Sequence, residues 1–73
     1  MAIEVLRLKL KETIDAKGYI ISVTDEISSE IVQYDNGDLK VSYIRTFGGA
    51  SYLTQPIPKK YTKLIIQKAQ QQQ

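Results

Sequence analysis

A chain of 73 residues without cysteine or histidine has room for one small core. It lacks the disulfides, thiolates and imidazoles that staple, ligate or catalyse in many proteins of this size. The net charge of +2 hides a division: residues 1–38 set four bases against all eight acids, for −4, whereas residues 39–73 carry Lys40, Arg45, Lys59, Lys60, Lys63 and Lys68 with no acid, for +6.

A domain this short buries only about 60–65% of its unfolded surface, so self-association is the staple that remains available to it. There is no run of about 18 apolar residues, the length a membrane-spanning helix needs. The opening MAIEVLRLKLKE scatters charges where a leader would be apolar, which points to a cytoplasmic protein.

In chain order, Ile3, Leu6, Leu10 and Ile14 form a helical stripe, and Lys11 with Asp15 makes an i,i+4 pair. Gly18 follows where a left-handed helix cap would sit. The alternation of Leu6, Leu8 and Leu10 with Arg7, Lys9 and Lys11 is a strand pattern. Length and the helix-favouring run LKLKETIDAK decide for a helix over 2–17. YIISVT (19–24) reads as a strand, and DEISS (25–29) as a loop.

The centre of the chain is EIVQYDNGDLKVSYIRTF (30–47), two β-rich runs flanking Asn36-Gly37. A two-residue turn at that dipeptide sets Tyr34 opposite Leu39 and Val32 opposite Val41. One sheet face then holds Val32, Tyr34, Leu39, Val41, Tyr43, Arg45 and Phe47. The other holds Ile31, Gln33, Lys40, Ser42, Ile44 and Thr46. Gly48-Gly49 predicts a second turn, with a fourth strand over 50–55 that sets Tyr52 opposite Arg45 and Leu53 opposite Ile44. Pro56 ends that strand and Pro58 opens a helix, along which Tyr61, Leu64, Ile65 and Ala69 recur at helical spacing. Gln70 to Gln73 read as a frayed polar tail.

The expected fold is therefore α+β: one small two-layer domain over 1–69, with a three- or four-stranded antiparallel sheet between an N-terminal and a C-terminal helix (α-β-β-β-(β)-α), and a tail over 70–73.

Function is less legible. Asp25-Glu26 and Asp35/Asp38 read as turn residues, and Asp35-Asn36-Gly37-Asp38 lacks the ligand spacing of a calcium loop. No metal or cofactor is implied. Gly48-Gly49-Ala50-Ser51 lacks the lysine of a phosphate loop. What stands out is basic residues among tyrosines. If the helices cover the aliphatic face of Ile31, Ile44 and Leu53, then Tyr34, Tyr43 and Tyr52 are exposed beside Arg45 and Phe47, as a base-stacking platform requires. The competing arrangement makes that face the core, with hydroxyls reaching the rim. Lys59 and Lys60 fall in the first turn of the last helix, where the macrodipole disfavours cations and favours a bound anion, and Lys63 lies one turn on.

The expectation is a non-enzymatic nucleic-acid-binding module, with Arg45, Lys59, Lys60 and Lys63 on phosphates and Tyr43 and Tyr52 on bases. A protein-interaction or homo-oligomerising module, such as an adaptor or inhibitor, is the second reading. An enzyme of unknown chemistry is the third.

Overall fold

The period-2 alternation at the start of the chain prevails over the helical stripe. In the computed structural model, which describes residues 1–45, 47–48 and 51–73 (only the backbone of 53–55), β1 (Glu4–Lys9) is a strand. Leu6 and Leu8 turn inward and Leu10 is buried, while Glu4, Arg7 and Lys9 face out. Ile3, the first member of the expected helical stripe, is 64% exposed. The expected N-terminal helix is absent, and with it the α-β-β-β-(β)-α order. The chain is mostly β, 45% strand, with one α-helix, at its C-terminal end, among the described residues.

Gly18 caps no helix. It is the second residue of a tight turn joining β2 (Ile14–Ala16) to β3 (Tyr19–Ile21), with Ala16 opposite Tyr19. Lys17 (φ 53°) and Gly18 (φ 96°) both take positive φ, as a two-residue type I′ turn demands. The Gly18 N–H donates to Asp15 Oδ1 at 2.8 Å. Strand β3 is shorter than the expected 19–24. Thr13 Oγ1 accepts from the Val23 N–H at 2.9 Å, which prolongs the hairpin by a side chain. At 24–27, Thr24 Oγ1 accepts from the Glu26 and Ile27 N–H groups and turns the chain into the next strand.

The main sheet is antiparallel, in the order β1-β4-β5-β6, with β4 (Ile27–Tyr34), β5 (Leu39–Arg45) and β6 (Ser51–Pro56). The β4–β5 hairpin does not close on two residues. The Gly37 N–H bonds Tyr34 O and the Tyr34 N–H bonds Asp38 O, each at 2.9 Å. The loop is thus Asp35, Asn36 and Gly37, with Gly37 at φ 90°, a turn that ends in a left-handed residue and a bulge. One extra loop residue shifts the register to Gln33 opposite Leu39 and Ile31 opposite Val41. Because side chains alternate with period 2, that slip moves every residue of β4 to the other face relative to β5. The expected face of Val32, Tyr34, Leu39, Val41, Tyr43 and Arg45 is therefore split. Leu39, Val41 and Tyr43 share a face with Ile31, whereas Val32 and Tyr34 lie on the other side with Lys40. The register of the fourth strand differs too, with Tyr52 opposite Tyr43, Leu53 opposite Ser42 and Ser51 opposite Ile44. The expected Gly48-Gly49 turn, Thr46 and Ala50 fall wholly or partly outside the described residues.

After Pro56 the Ile57 N–H bonds Leu39 O at 2.9 Å, and the buried Ile57 side chain enters the core. A 3₁₀ turn (Lys59–Tyr61) behind Pro58 leads into α1 (Thr62–Gln71), which buries Ile65 and Ala69. The helix and the β2–β3 hairpin cover the same sheet face. Leu10, Ile14, Ala16 and Ile21 pack there with Ile31, Leu39 and Val41 of the sheet and with Ile57, Ile65 and Ala69. A fully buried side chain of the size of Ile65 contributes about 1.5–3 kcal/mol. Buried Ser29 ties the layers together, donating to Ser22 O at 2.7 Å.

The glutamine run is not a frayed tail. Helix α1 continues to Gln71, and Gln72 Oε1 accepts from the Lys11 and Glu12 N–H groups at 2.7 and 3.1 Å while its Nε2 donates to Glu12 O at 3.0 Å. Gln73 Nε2 donates to Lys9 O. A side-chain amide, with one acceptor and two donors, can satisfy a strand end much as another strand would. No helix among the described residues is long and apolar enough to cross a membrane.

Candidate functional site

Four tyrosines run in file along the end of the covered face. Tyr19, at the start of β3, stacks on Tyr61 with ring centroids 5.1 Å apart. Tyr19 and Tyr43 both pack against the core cluster, and burial, then the Tyr43 phenol, push the Tyr19 hydroxyl above the usual tyrosine range. Tyr43 in turn meets Tyr52 across β5–β6, with centroids 6.2 Å apart. Such pairs add about 0.5–1.5 kcal/mol each beyond area burial. Tyr19, Tyr43 and Tyr61 are half-buried against the core, whereas Tyr52 is 48% exposed.

The tyrosine-bearing face of β5 is thus the covered one: of the two arrangements the sequence left open, the structure has the one in which that face joins the core. Ile31 belongs to the covered face, Ile44 is on the opposite one, and Tyr43 is partly buried against the core cluster.

Lysines gather at the Tyr61 end of the file. Lys17 from the β2–β3 turn, Lys60 from the 3₁₀ turn and Lys63 from α1 line one groove of about 410 Å³ with Tyr61 and Leu64. No carboxylate among the described residues lines it. Lys60 Nζ stands over the Tyr61 ring, 5.1 Å from its centroid. Lys17, Lys59, Lys60 and Lys63 form no ion pair among the described residues. The helix that starts there has no acidic residue in its first turn and no side-chain cap, so its positive end is not offset.

The other expected residues are distributed around this file. Tyr43 and Tyr52 share a shallow groove of about 210 Å³ with Ser22, Thr24 and Ile27. Arg45 borders a neighbouring groove of about 330 Å³ with Ile27, Phe47 and Glu26, so that groove carries both signs of charge. Lys59 is exposed at the start of the 3₁₀ turn. Lys68, on the far side of α1, faces Glu12 and Asp15 across a mixed-charge groove of about 340 Å³.

Sequence reasoning missed Lys17, Tyr19 and Tyr61 as site residues. The one signal for them was Lys17-Gly18 between IDA and YII, a possible two-residue hairpin whose arms are too short to show alternation. Among the described residues no cluster of three or more carboxylates is arranged to hold a metal.

No protein-family model, no curated protein and no solved structure gives a significant match to this chain.

Proposed function

We propose that this protein is a non-enzymatic module that binds single-stranded nucleic acid along the rim of the covered face. The observation that carries this reading is the file of two ring pairs, Tyr19–Tyr61 and Tyr43–Tyr52, with lysines at its Tyr61 end that form no ion pair among the described residues. Successive aromatic rings beside a cationic groove suit a single strand, whose bases have free π-faces, and do not suit a duplex, whose bases are already stacked. Lys17, Lys59, Lys60, Lys63 and Arg45 take phosphates. Tyr52, the most exposed of the four tyrosines, stacks on a base, and Tyr43 extends that platform.

Fluorescence anisotropy with a labelled oligonucleotide, titrated at several salt concentrations, tests this. Log affinity falls linearly with log salt, by about 0.7 per phosphate contact on a single strand, and Lys59→Gln with Lys60→Gln flattens the slope by about 1.4. Tyr52→Ala weakens binding without changing the slope, because stacking releases no counterions. Absence of binding at low salt sinks the reading.

One observation favours a protein partner instead. The outer edge of β1 pairs with no strand among the described residues, and Ile3 and Val5 beside it are 64% and 59% exposed. An open edge of this kind can accept a strand from a second chain. Under that reading light scattering reports a mass above the monomer's.

A further inference from the structure

The two ends of the tyrosine file differ in what they offer a ligand. At the Tyr52 end there is a half-exposed ring and a neighbouring groove that holds Arg45 together with an acid, Glu26. At the Tyr61 end the ring is already engaged, stacked by Tyr19 and overlain by Lys60. That end offers charge rather than a stacking surface: Lys17, Lys60 and Lys63 line one groove, with the uncapped start of α1 between them. An internal phosphodiester carries one negative charge, and one lysine matches it. A phosphate monoester carries about −1.5 to −2 at pH 7 and has three strong acceptor oxygens. Three lysines from three separate elements, with no carboxylate among the described residues of the groove, suit the second better than the first.

We infer that the Lys17–Lys60–Lys63 groove is an end-reading site, which anchors the terminal phosphate monoester of a single strand while the following bases run toward Tyr43 and Tyr52. This rests on the single-strand reading above and adds to it a preference for one chemically marked end.

Competition anisotropy tests it, with three unlabelled strands of one sequence bearing a 5′-phosphate, a 3′-phosphate or neither. A nucleoside monophosphate is the fourth competitor. One of the two phosphorylated strands should compete better than the unphosphorylated one by about tenfold or more, the worth of a charged hydrogen bond. Lys17→Gln should bring that ratio close to one, and so should Lys63→Gln, with melting temperatures recorded to show that each variant is folded. Three strands of equal affinity overturn the end-reading site and leave the single-strand reading standing. Failure of all three at low salt removes both. A nucleoside monophosphate that competes as well as the phosphorylated strand also overturns the proposal, because the groove is then a mononucleotide pocket and not the anchor of a strand. A phosphate preference that persists undiminished in both lysine variants places the anchor elsewhere and overturns it as well.

Discussion

The two faces of the four-stranded sheet solve the problem of burial in opposite ways. On the covered face, Ile31, Leu39 and Val41 are buried by other elements, the hairpin and α1, through Ile14, Ile21 and Ile65. On the open face Val32 is equally inaccessible, at 0% exposure, although it lies outside the core cluster of the covered face. Its cross-strand neighbours are Arg7 and Lys40, whose aliphatic stems can cover a small apolar residue while their heads stay in water. Those heads are engaged. Arg7 grips Glu4 through two nitrogens at 2.7 and 2.9 Å and reaches Glu30 at 3.2 Å, and Lys40 Nζ lies 5.1 Å from the Tyr34 ring centroid. The rim of the covered face instead presents Lys17, Lys60 and Lys63 without carboxylate partners among the described residues. Arg7 and Lys40 are thus engaged by neighbours on their own face, and the groove lysines meet no such acid among the described residues.

The largest effect should come from the covered face. Ile65→Ala removes a fully buried side chain from the contact between helix and sheet, and the expected loss is about 2–5 kcal/mol, read by chemical denaturation. A loss below about 1 kcal/mol would mean that α1 packs more loosely than described.

Next comes pH. Burial and Tyr43 raise the Tyr19 hydroxyl above 10.0. The unfolded chain therefore ionises first, so the corresponding stability is complete below pH 10 and is lost as pH rises through the folded value. Melting temperature should fall on the alkaline side, and Tyr19→Phe should make that fall shallower. On the open face the hydrogen bond from Arg7 lowers the Glu4 carboxyl from its ordinary 4.5. Its contribution is present above that value and lost as pH falls through the folded one, and it is small because the carboxylate is solvated. An alkaline limb identical in Tyr19→Phe would place that ring outside the core.

The smallest effect is expected from Arg7→Gln, which breaks the surface ion pairs to Glu4 and Glu30 and should move the denaturation midpoint only slightly. A much larger loss would show that the arginine stem is the main cover of Val32, and that the open face depends on it as the covered face depends on α1.

Much of the strand content and the final helix were legible because their periodicities extend over six residues or more. The start of the chain was misread because Ile3, Leu6, Leu10 and Ile14 satisfy a helical stripe while Leu6, Leu8 and Leu10 satisfy a strand, and only the partner strand β4 decides between them. The faces were misassigned by one loop residue. Asn36-Gly37 suits a two-residue turn, yet Asp35 joins the loop, where its Oδ1 accepts from the Ile3 N–H and its own N–H bonds Ile3 O. A contact with the far end of the chain thus accompanies the hairpin register. The candidate site was half legible for the same reason. Lys60, Lys63, Tyr43 and Tyr52 stood out by type, but Lys17, Tyr19 and Tyr61 join them only through the packing of two elements. The grip of Gln72 on Lys11 and Glu12 spans some sixty residues and has no local signature.

The difference between the faces is tested most directly by nuclear magnetic resonance of the labelled protein titrated with a short single-stranded oligonucleotide. The tyrosine ring signals of Tyr19, Tyr43, Tyr52 and Tyr61 and the terminal methylenes of Lys17, Lys60 and Lys63 should shift, while the Val32 methyls and the Arg7 Nε–H stay in place. Shifts centred on Val32, Arg7 and Lys40, or none at all at low salt, would contradict the account.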